Sequence, residues 1–146
     1  MLNEIICSKD VELLMIKFNK FHDSCIKEMK YVSGAYVDND LSMNPINSQR
    51  MLYLLIQSQS HLFPNIELCF SGLKFMKMKP VDESYTCEIF SASIIYDPDK
   101  IIWCDTDAVN INEINEYDGT VICATKLSWR VIDDFTGNDE FYIPKL

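Results

Sequence analysis

The stretch Ile66-Glu-Leu-Cys-Phe-Ser-Gly-Leu73 alternates apolar and polar side chains until Gly72 interrupts the pattern. A period of two predicts a β-strand with one buried face. After Gly72 the apolar residues change parity and continue at Leu73 and Phe75. We therefore expect one inserted residue near Gly72, a β-bulge that bends the sheet. A bent sheet favours a half-barrel or sandwich over a flat layer.

Further strands are predicted on both sides of this stretch. Apolar residues recur on odd positions from Cys25 to Asp38, and both faces are apolar from Gln49 to Gln59. The segment 38–47 between them is crowded with turn formers and is predicted to be a loop. Later strands are predicted at 85–96, 101–105 and 119–132. Short turns between consecutive strands favour an antiparallel meander.

The last predicted strand shows the longest alternation. One of its faces is predicted to carry Val121, Cys123, Thr125, Leu127, Trp129 and Val131. Before it, residues 110–117 are predicted to form a helical turn that ends at Asp118-Gly119.

An N-terminal helix is predicted from apolar residues at spacings of three and four. These residues are Val11, Leu14, Met15, Phe18 and Phe21. Ser8 or Asp10 can cap the start of this helix, and its apolar stripe needs a sheet to cover. The sequence thus predicts one α+β domain spanning 1–146, with a mainly antiparallel bent sheet and the helix packed on one face.

The chain is acidic, with 13 Lys and Arg against 22 Asp and Glu, a formal charge of -9 and a pI near 4.6. Such a charge repels nucleic acid and anionic lipid and favours a basic protein partner, although it can equally serve solubility. No apolar run approaches the roughly 20 residues of a membrane-spanning helix, and no signal peptide is recognisable at the N-terminus. We expect a cytoplasmic protein that contacts neither membrane nor nucleic acid; its oligomeric state stays open.

Six cysteines lie 17 or more residues apart, without the close spacing of zinc or redox motifs. The default interpretation is that they are reduced core thiols. With only His22 and His61 available, we expect no metal and no cofactor.

The sequence around His22 allows one catalytic hypothesis, in which Asp23 orients the imidazole and the imidazole activates Cys25. On a strand, however, His22 would point away from both of these residues. We favour a structural junction made by Phe21, His22 and Asp23, where helix becomes strand, and we expect no catalytic residue.

An acidic segment, residues 105–118, is the preferred candidate for binding. Its acidic residues are Asp105, Asp107, Glu113, Glu116 and Asp118. A calcium loop agrees at the first, third and twelfth positions of Asp105–Glu116, but it places Val109 at position five and Asn110 where glycine is needed. A solvated acidic loop is therefore the preferred interpretation, and the 38–47 loop is the second exposed candidate.

The order of features resembles a group of small bacterial domains with a helix, then Phe21-His22-Asp23, then strands including 66–73 and a late Trp103. Some members of that group resemble immunity proteins of polymorphic toxin systems. The resemblance implies a non-catalytic domain that binds and blocks a basic toxin.

Two alternatives stay open. One is a small-ligand-binding half-barrel, with a cavity lined by aromatic residues such as Tyr31, Tyr36, Tyr53, Tyr85, Trp103 and Trp129. The other is an enzyme that uses the His22, Asp23 and Cys25 region.

Overall fold

The computed structural model describes residues 1–108 and 110–144, and within these ranges seven strands form one antiparallel sheet. The strands are β1 (Asn3–Glu4), β2 (Ser24–Val32), β3 (Tyr36–Val37), β4 (Met43–Asn44), β5 (Met51–Ser58), β6 (Asn65–Lys77), β7 (Ser93–Asp97), β8 (Lys100–Cys104) and β9 (Val121–Ile132). The helices are α1 (Ser8–Lys17) and α2 (Ile111–Glu116), and a 3-10 turn spans Asn19–Phe21.

The strand order is β2-β5-β6-β9-β8-β7, with β1 beside β9, while β3 and β4 pair separately. Two meanders are thus joined where β6 lies against β9, and the sheet is not closed into a barrel. The predicted α+β class and antiparallel sheet are confirmed.

The helix α1 packs on one face of the sheet, as predicted. Asp10 accepts a hydrogen bond from the backbone N–H of Ile6 at 2.9 Å, which satisfies a donor just before the helix. Leu14 is buried at 1% exposure in the main core. Sheet side chains complete that core: Leu52, Leu54, Ile56, Ile66, Leu68, Phe70, Ile101, Trp103, Ile122, Ala124 and Leu127.

The predicted bulge lies close to Gly72, because the register between β6 and β9 shifts between Leu73 and Phe75. Gly72 itself has a φ of +63°, and a Cβ there would lie 2.7 Å from Oγ1 of Thr125. Only glycine fits that close approach without strain.

The predicted single face of β9 is wrong. Leu127 packs in the main core, whereas Val121 and Cys123 belong to a second core on the opposite face. The strand changes face at Thr125 and Lys126, which are both exposed, opposite the bend at Gly72. The bend in β6 therefore imposes a matching bend on β9, which alternation within β9 alone does not reveal.

The predicted first strand is too long, because β2 ends at Val32. Gly34 has a φ of +93°, and a Cβ there would lie 2.5 Å from Oγ of Ser48. The chain turns out of the sheet at this glycine.

The predicted strand 85–96 is also too long, because only Ser93–Asp97 is strand. Two residues before β7, Ile89 and Ala92, form backbone hydrogen bonds with the segment that follows α1. Ile89 N–H donates to the carbonyl of Ser24 at 2.7 Å, and Ala92 N–H donates to that of Lys20 at 2.8 Å.

The second face of the sheet is covered by α2 and by a C-terminal strap, residues 134–142. Ile114 of α2 packs on Ile102 and Cys123. Glu28 accepts hydrogen bonds from the backbone N–H groups of Phe141 and Tyr142, at 2.7 and 3.1 Å. All six cysteines are free thiols. Neither α1 nor α2 has the length and apolar character needed to span a membrane, so the described residues contain no candidate spanning helix.

Candidate functional site

The junction after α1 is a strained segment of backbone. Asn19, Lys20, Phe21 and Asp23 all have φ between +49° and +61°. A bulky residue rarely adopts this conformation, and Phe21 does so while buried at 1% exposure against Trp103. The segment is held by burial and by Ser24 Oγ, which donates to the carbonyl of Phe21.

His22 contacts backbone and Asp23 within this junction. Its Nδ1 lies 2.8 Å from the carbonyl oxygen of Phe90, and its Nε2 lies 3.4 Å from Oδ1 of Asp23. The ring therefore ties two segments together, which is the geometry expected of a structural junction. The side chain of His22 is still 44% exposed.

The catalytic hypothesis receives no geometric support from the described residues. The ring nitrogens of His22 contact the carbonyl oxygen of Phe90 and the carboxylate of Asp23. Among the described residues, neither nitrogen forms a hydrogen bond with Cys25. Burial, and secondarily the neighbouring Cys87, raises the pKa of the Cys25 thiol. A nucleophilic thiolate requires the opposite shift.

Two residues of the acidic segment are used inside the fold. Asp105 Oδ1 accepts hydrogen bonds from the hydroxyl of Tyr117 and, at 3.2 Å, from the N–H of Thr120. Asp118 pairs with Lys79 and lies 3.8 Å from Lys77. The hydrogen bond and charge of Lys79 hold the pKa of Asp118 below its ordinary value. These two carboxylates stabilise the segment locally and offer little unpaired charge to a partner.

The other three acidic candidates lie on the exposed surface of the segment. Asp107, Glu113 and Glu116 are exposed, and the side chain of Asn110 caps α2 by accepting from the N–H of Glu113. Val109, position five of the calcium-loop comparison, lies outside the described residues. Among the residues that are described, no three His, Cys, Asp or Glu side chains form a metal-binding group. The segment's role in binding stays a prediction.

A hairpin segment, residues 33–48, leaves the sheet between β2 and β5 and contains the ribbon of β3 and β4. It includes the 38–47 loop predicted from sequence. From residue 36 to residue 50, every residue except Asn44 is exposed. Its large apolar side chains therefore lie in water: Tyr36, Val37, Leu41, Met43 and Ile46, at 51–83% exposure.

The tip of the hairpin segment is ordered by hydrogen bonds. Asp38 N–H donates to the carbonyl of Ser42, and Leu41 N–H donates to that of Asp38, both at 2.9 Å. Asp40 accepts from Ser42, whose hydroxyl and N–H lower the pKa of that carboxyl. The tip is thus a tight turn with an ionised carboxylate beside Leu41.

Leu41 is the least expected residue of this tip. Its φ is +68°, a left-handed conformation that favours glycine or asparagine, and its side chain is 83% exposed. Backbone strain of this kind costs on the order of 1–3 kcal/mol and concentrates at functional surfaces. The turn formers of 38–47 predicted an exposed turn, but they did not predict strain at a leucine.

A buried polar cluster under the C-terminal strap was missed by the sequence analysis. Glu67 is 2% exposed and accepts hydrogen bonds from Arg130 Nε at 2.7 Å and from the hydroxyl of Tyr142 at 2.6 Å. The bond to Glu67 raises the pKa of Arg130, while burial and the same carboxylate raise the pKa of Tyr142. A glutamate inside an apolar strand was the available signal. The cluster fastens the strap to the sheet.

The aromatic residues proposed to line one cavity do not gather around one. Trp103 fills the main core at 0% exposure, and its Nε1 has no hydrogen-bond partner among the described atoms. Tyr31, Tyr36 and Tyr85 are instead exposed at the surface.

The fold and its surface thus define an acidic, antiparallel α+β domain that presents a strained apolar hairpin. Comparisons with protein-family models, curated proteins and solved structures find no match. The resemblance to immunity-type domains therefore stays a prediction.

Proposed function

We propose that this chain is a non-catalytic protein-binding domain of the immunity type, which binds a basic protein through its hairpin segment. One observation carries the proposal: an ordered turn holds Leu41 in strained backbone with its side chain in water. A side chain of this size stabilises a complex by roughly 1.5–3 kcal/mol when it moves from water into an apolar pocket.

Apolar residues that neighbour Leu41 in the hairpin segment are exposed as well. Val37 and Met43 are cross-strand partners and share one face of the ribbon. Tyr36 is 58% exposed, and tyrosine is enriched at the centres of protein interfaces. Because β3 and β4 are already paired, little ordering entropy is lost when a partner covers them.

Charge specifies the kind of partner. The hairpin segment contains Asp38 and Asp40 and no Lys, Arg or His. The whole chain carries a formal charge of -9, so its field favours a partner of positive charge. Such steering accelerates association and weakens with added salt.

The immunity interpretation adds that the partner is harmful when it is free. A toxin that acts on nucleic acid needs a basic surface, and an acidic domain with an apolar anchor can cover such a surface. The Asp107, Glu113 and Glu116 carboxylates of the acidic segment are further candidates for that contact.

Site-specific photocrosslinking tests the proposal in the cells that carry the gene. A benzophenone amino acid replaces Leu41 in one strain and Ile16 in a control strain. Ile16 is exposed at 75% on α1, away from the hairpin segment in sequence. We expect a basic protein to crosslink at position 41 and not at position 16. No crosslink at position 41, or an acidic protein there, would contradict the binding proposal.

Co-expression separates protein binding in general from immunity. The crosslinked protein is expressed alone and together with this chain, and growth is measured. Growth arrest that the chain relieves supports immunity. A basic partner that is harmless alone would leave protein binding standing and overturn the immunity interpretation.

A further inference from the structure

A cleft of about 520 Å³ opens where the start of β2, the end of β5 and the C-terminal strap meet. Its volume lies within the range of small-molecule sites, roughly 300–1,000 Å³. Its wall includes Asp23, Cys25, Gln59, Pro64, Glu88 and Phe135. None of the described lining residues belongs to the hairpin segment, so ligand binding here does not depend on the proposed function.

Among the described residues that line the cleft, the charged side chains have one sign. Asp23 and Glu88 contribute carboxylates, and none of these described residues is Lys, Arg or His. Lys27, which lies on the neighbouring stretch of β2, is held by the strap through the carbonyls of Gly137 and Asp139. Within the described part of the chain, Oδ1 of Asp23 lies 3.4 Å from Nε2 of His22.

An aromatic wall accompanies the carboxylates. The side chain of Phe135 is 71% exposed and meets the ring of His61 at a centroid distance of 6.3 Å. An exposed aromatic ring attracts cations through its negative face, and it also covers the apolar part of a ligand. Pro64 adds a second apolar surface to the wall.

The walls are fixed by backbone hydrogen bonds. Asp23 N–H donates to the carbonyl of Ile89 at 3.1 Å, and its own carbonyl accepts from the N–H of Gln59 at 3.0 Å. On the strap side, Nε2 of the Gln57 side chain donates to the backbone carbonyl of Gly137 at 3.1 Å. A preformed site loses less ordering entropy on binding.

We propose that this cleft binds an organic cation, an ammonium or guanidinium group on a small apolar body. The cationic group pairs with Asp23 and Glu88, and the apolar body packs against Phe135 and Pro64. The same chemistry comes either from a free amine or from a lysine or arginine side chain of a bound protein, and the test separates these sources.

The test is an NMR titration of the full chain with phenethylammonium and with its neutral counterpart, 2-phenylethanol. We expect saturable shifts of the Cys25, Gln59 and Gly137 amides with the ammonium and much weaker ones with the alcohol. Because an exposed ion pair contributes little free energy, we expect Asp23→Asn and Glu88→Gln each to weaken binding by about two- to fivefold. Asparagine tolerates the positive φ of Asp23, so this variant retains the backbone conformation.

Glu83→Gln is the matched control, because Glu83 is exposed and does not line the cleft. It should leave the affinity unchanged. In the unmodified protein, added salt should weaken ammonium binding and leave the response to the alcohol unchanged. This second measurement decides the question even if a variant misfolds.

Nα-acetyl-lysine methylamide and Nα-acetyl-argininamide are titrated in the same way. Tighter binding of these than of phenethylammonium assigns the cleft to a protein side chain, and the reverse order assigns it to a free amine. Equal shifts with ammonium and alcohol, or binding that neither carboxylate substitution nor salt weakens, would overturn the proposal.

Discussion

The backbone N–H of Leu41 donates a hydrogen bond to the carbonyl oxygen of Asp38 across 2.9 Å, which closes the hairpin tip with Leu41 at a φ of +68°. An L-residue in this conformation is less stable by roughly 1–2 kcal/mol. The leucine side chain is 83% exposed, so packing against the described residues offsets little of this strain. The cost is consistent with selection for contact with another molecule.

Replacing Leu41 with glycine should not lower the stability of the fold. Relief of the left-handed strain outweighs or balances the entropy that glycine loses on folding, so the free energy of unfolding should rise by about 0–1 kcal/mol. Urea denaturation measures this change. Val37→Gly, in extended backbone of the same ribbon, is the control and should be destabilising or neutral. A loss of more than about 1 kcal/mol in Leu41→Gly would mean that the side chain supports the fold.

Replacing Arg130 with methionine should destabilise the fold by about 2–3 kcal/mol, because it leaves the buried carboxylate of Glu67 without its charged partner. Lys126→Met is the control on the same strand. Lys126 pairs with Glu4 at 3.7 Å with both side chains largely exposed, so its loss should change stability by less than about 1 kcal/mol. Equal effects of the two substitutions in urea denaturation would show that Glu67 does not depend on Arg130.

Asp105→Ala should lower the free energy of unfolding by about 1–2 kcal/mol, since it removes the Oδ1 that accepts from both Tyr117 and Thr120. Asp107→Ala, two residues away and exposed, should be nearly neutral. Thermal unfolding of the two variants checks this difference. Equal melting temperatures would show that the hydrogen bonds of Asp105 do not stabilise the fold.

Stability should fall at alkaline pH. Burial, and then the charge of Glu67, raise the pKa of Cys69 from 9.0 to about 12. The unfolded thiol therefore ionises first, so this group's stabilising contribution is complete below pH 9 and declines as pH rises towards 12. Urea midpoints between pH 8 and 10.5 measure the slope. Cys69→Ala should flatten it, whereas the exposed-residue control Cys7→Ala should not; equal slopes in all three proteins would argue against the shift.

Local patterns in the sequence were sufficient to predict α1, α2 and the inner strands. Spacings of three and four gave α1, although Phe18 and Phe21 of the predicted stripe lie beyond its end at Lys17. The parity change at Gly72 predicted the bulge that β6 contains. The predictions that failed depended on tertiary contacts. The bend at Gly72 forces β9 to change face at Thr125 and Lys126, a partner effect that alternation within one strand does not record.

For the candidate sites, too, local sequence predicted exposure but did not predict features that depend on tertiary contacts. Exposure of the 38–47 loop could be predicted from its turn formers, whereas the strained φ of Leu41 depends on how the ribbon closes. Sequence alone groups Asp105 and Asp118 with the other acidic residues. It does not reveal that Asp105 accepts a hydrogen bond from Tyr117 or that Asp118 pairs with Lys79. The cleft could not be predicted from the sequence, because its wall is formed by residues far apart in the chain.

The most direct test of the hairpin as the binding surface is the affinity of purified Leu41→Gly for the protein that crosslinks at position 41, measured calorimetrically beside Ile16→Ala. The account predicts that Leu41→Gly keeps its stability and loses about tenfold or more in affinity, while Ile16→Ala binds as the unmodified chain does. Unchanged affinity in Leu41→Gly would contradict the assignment of the hairpin segment as the binding surface.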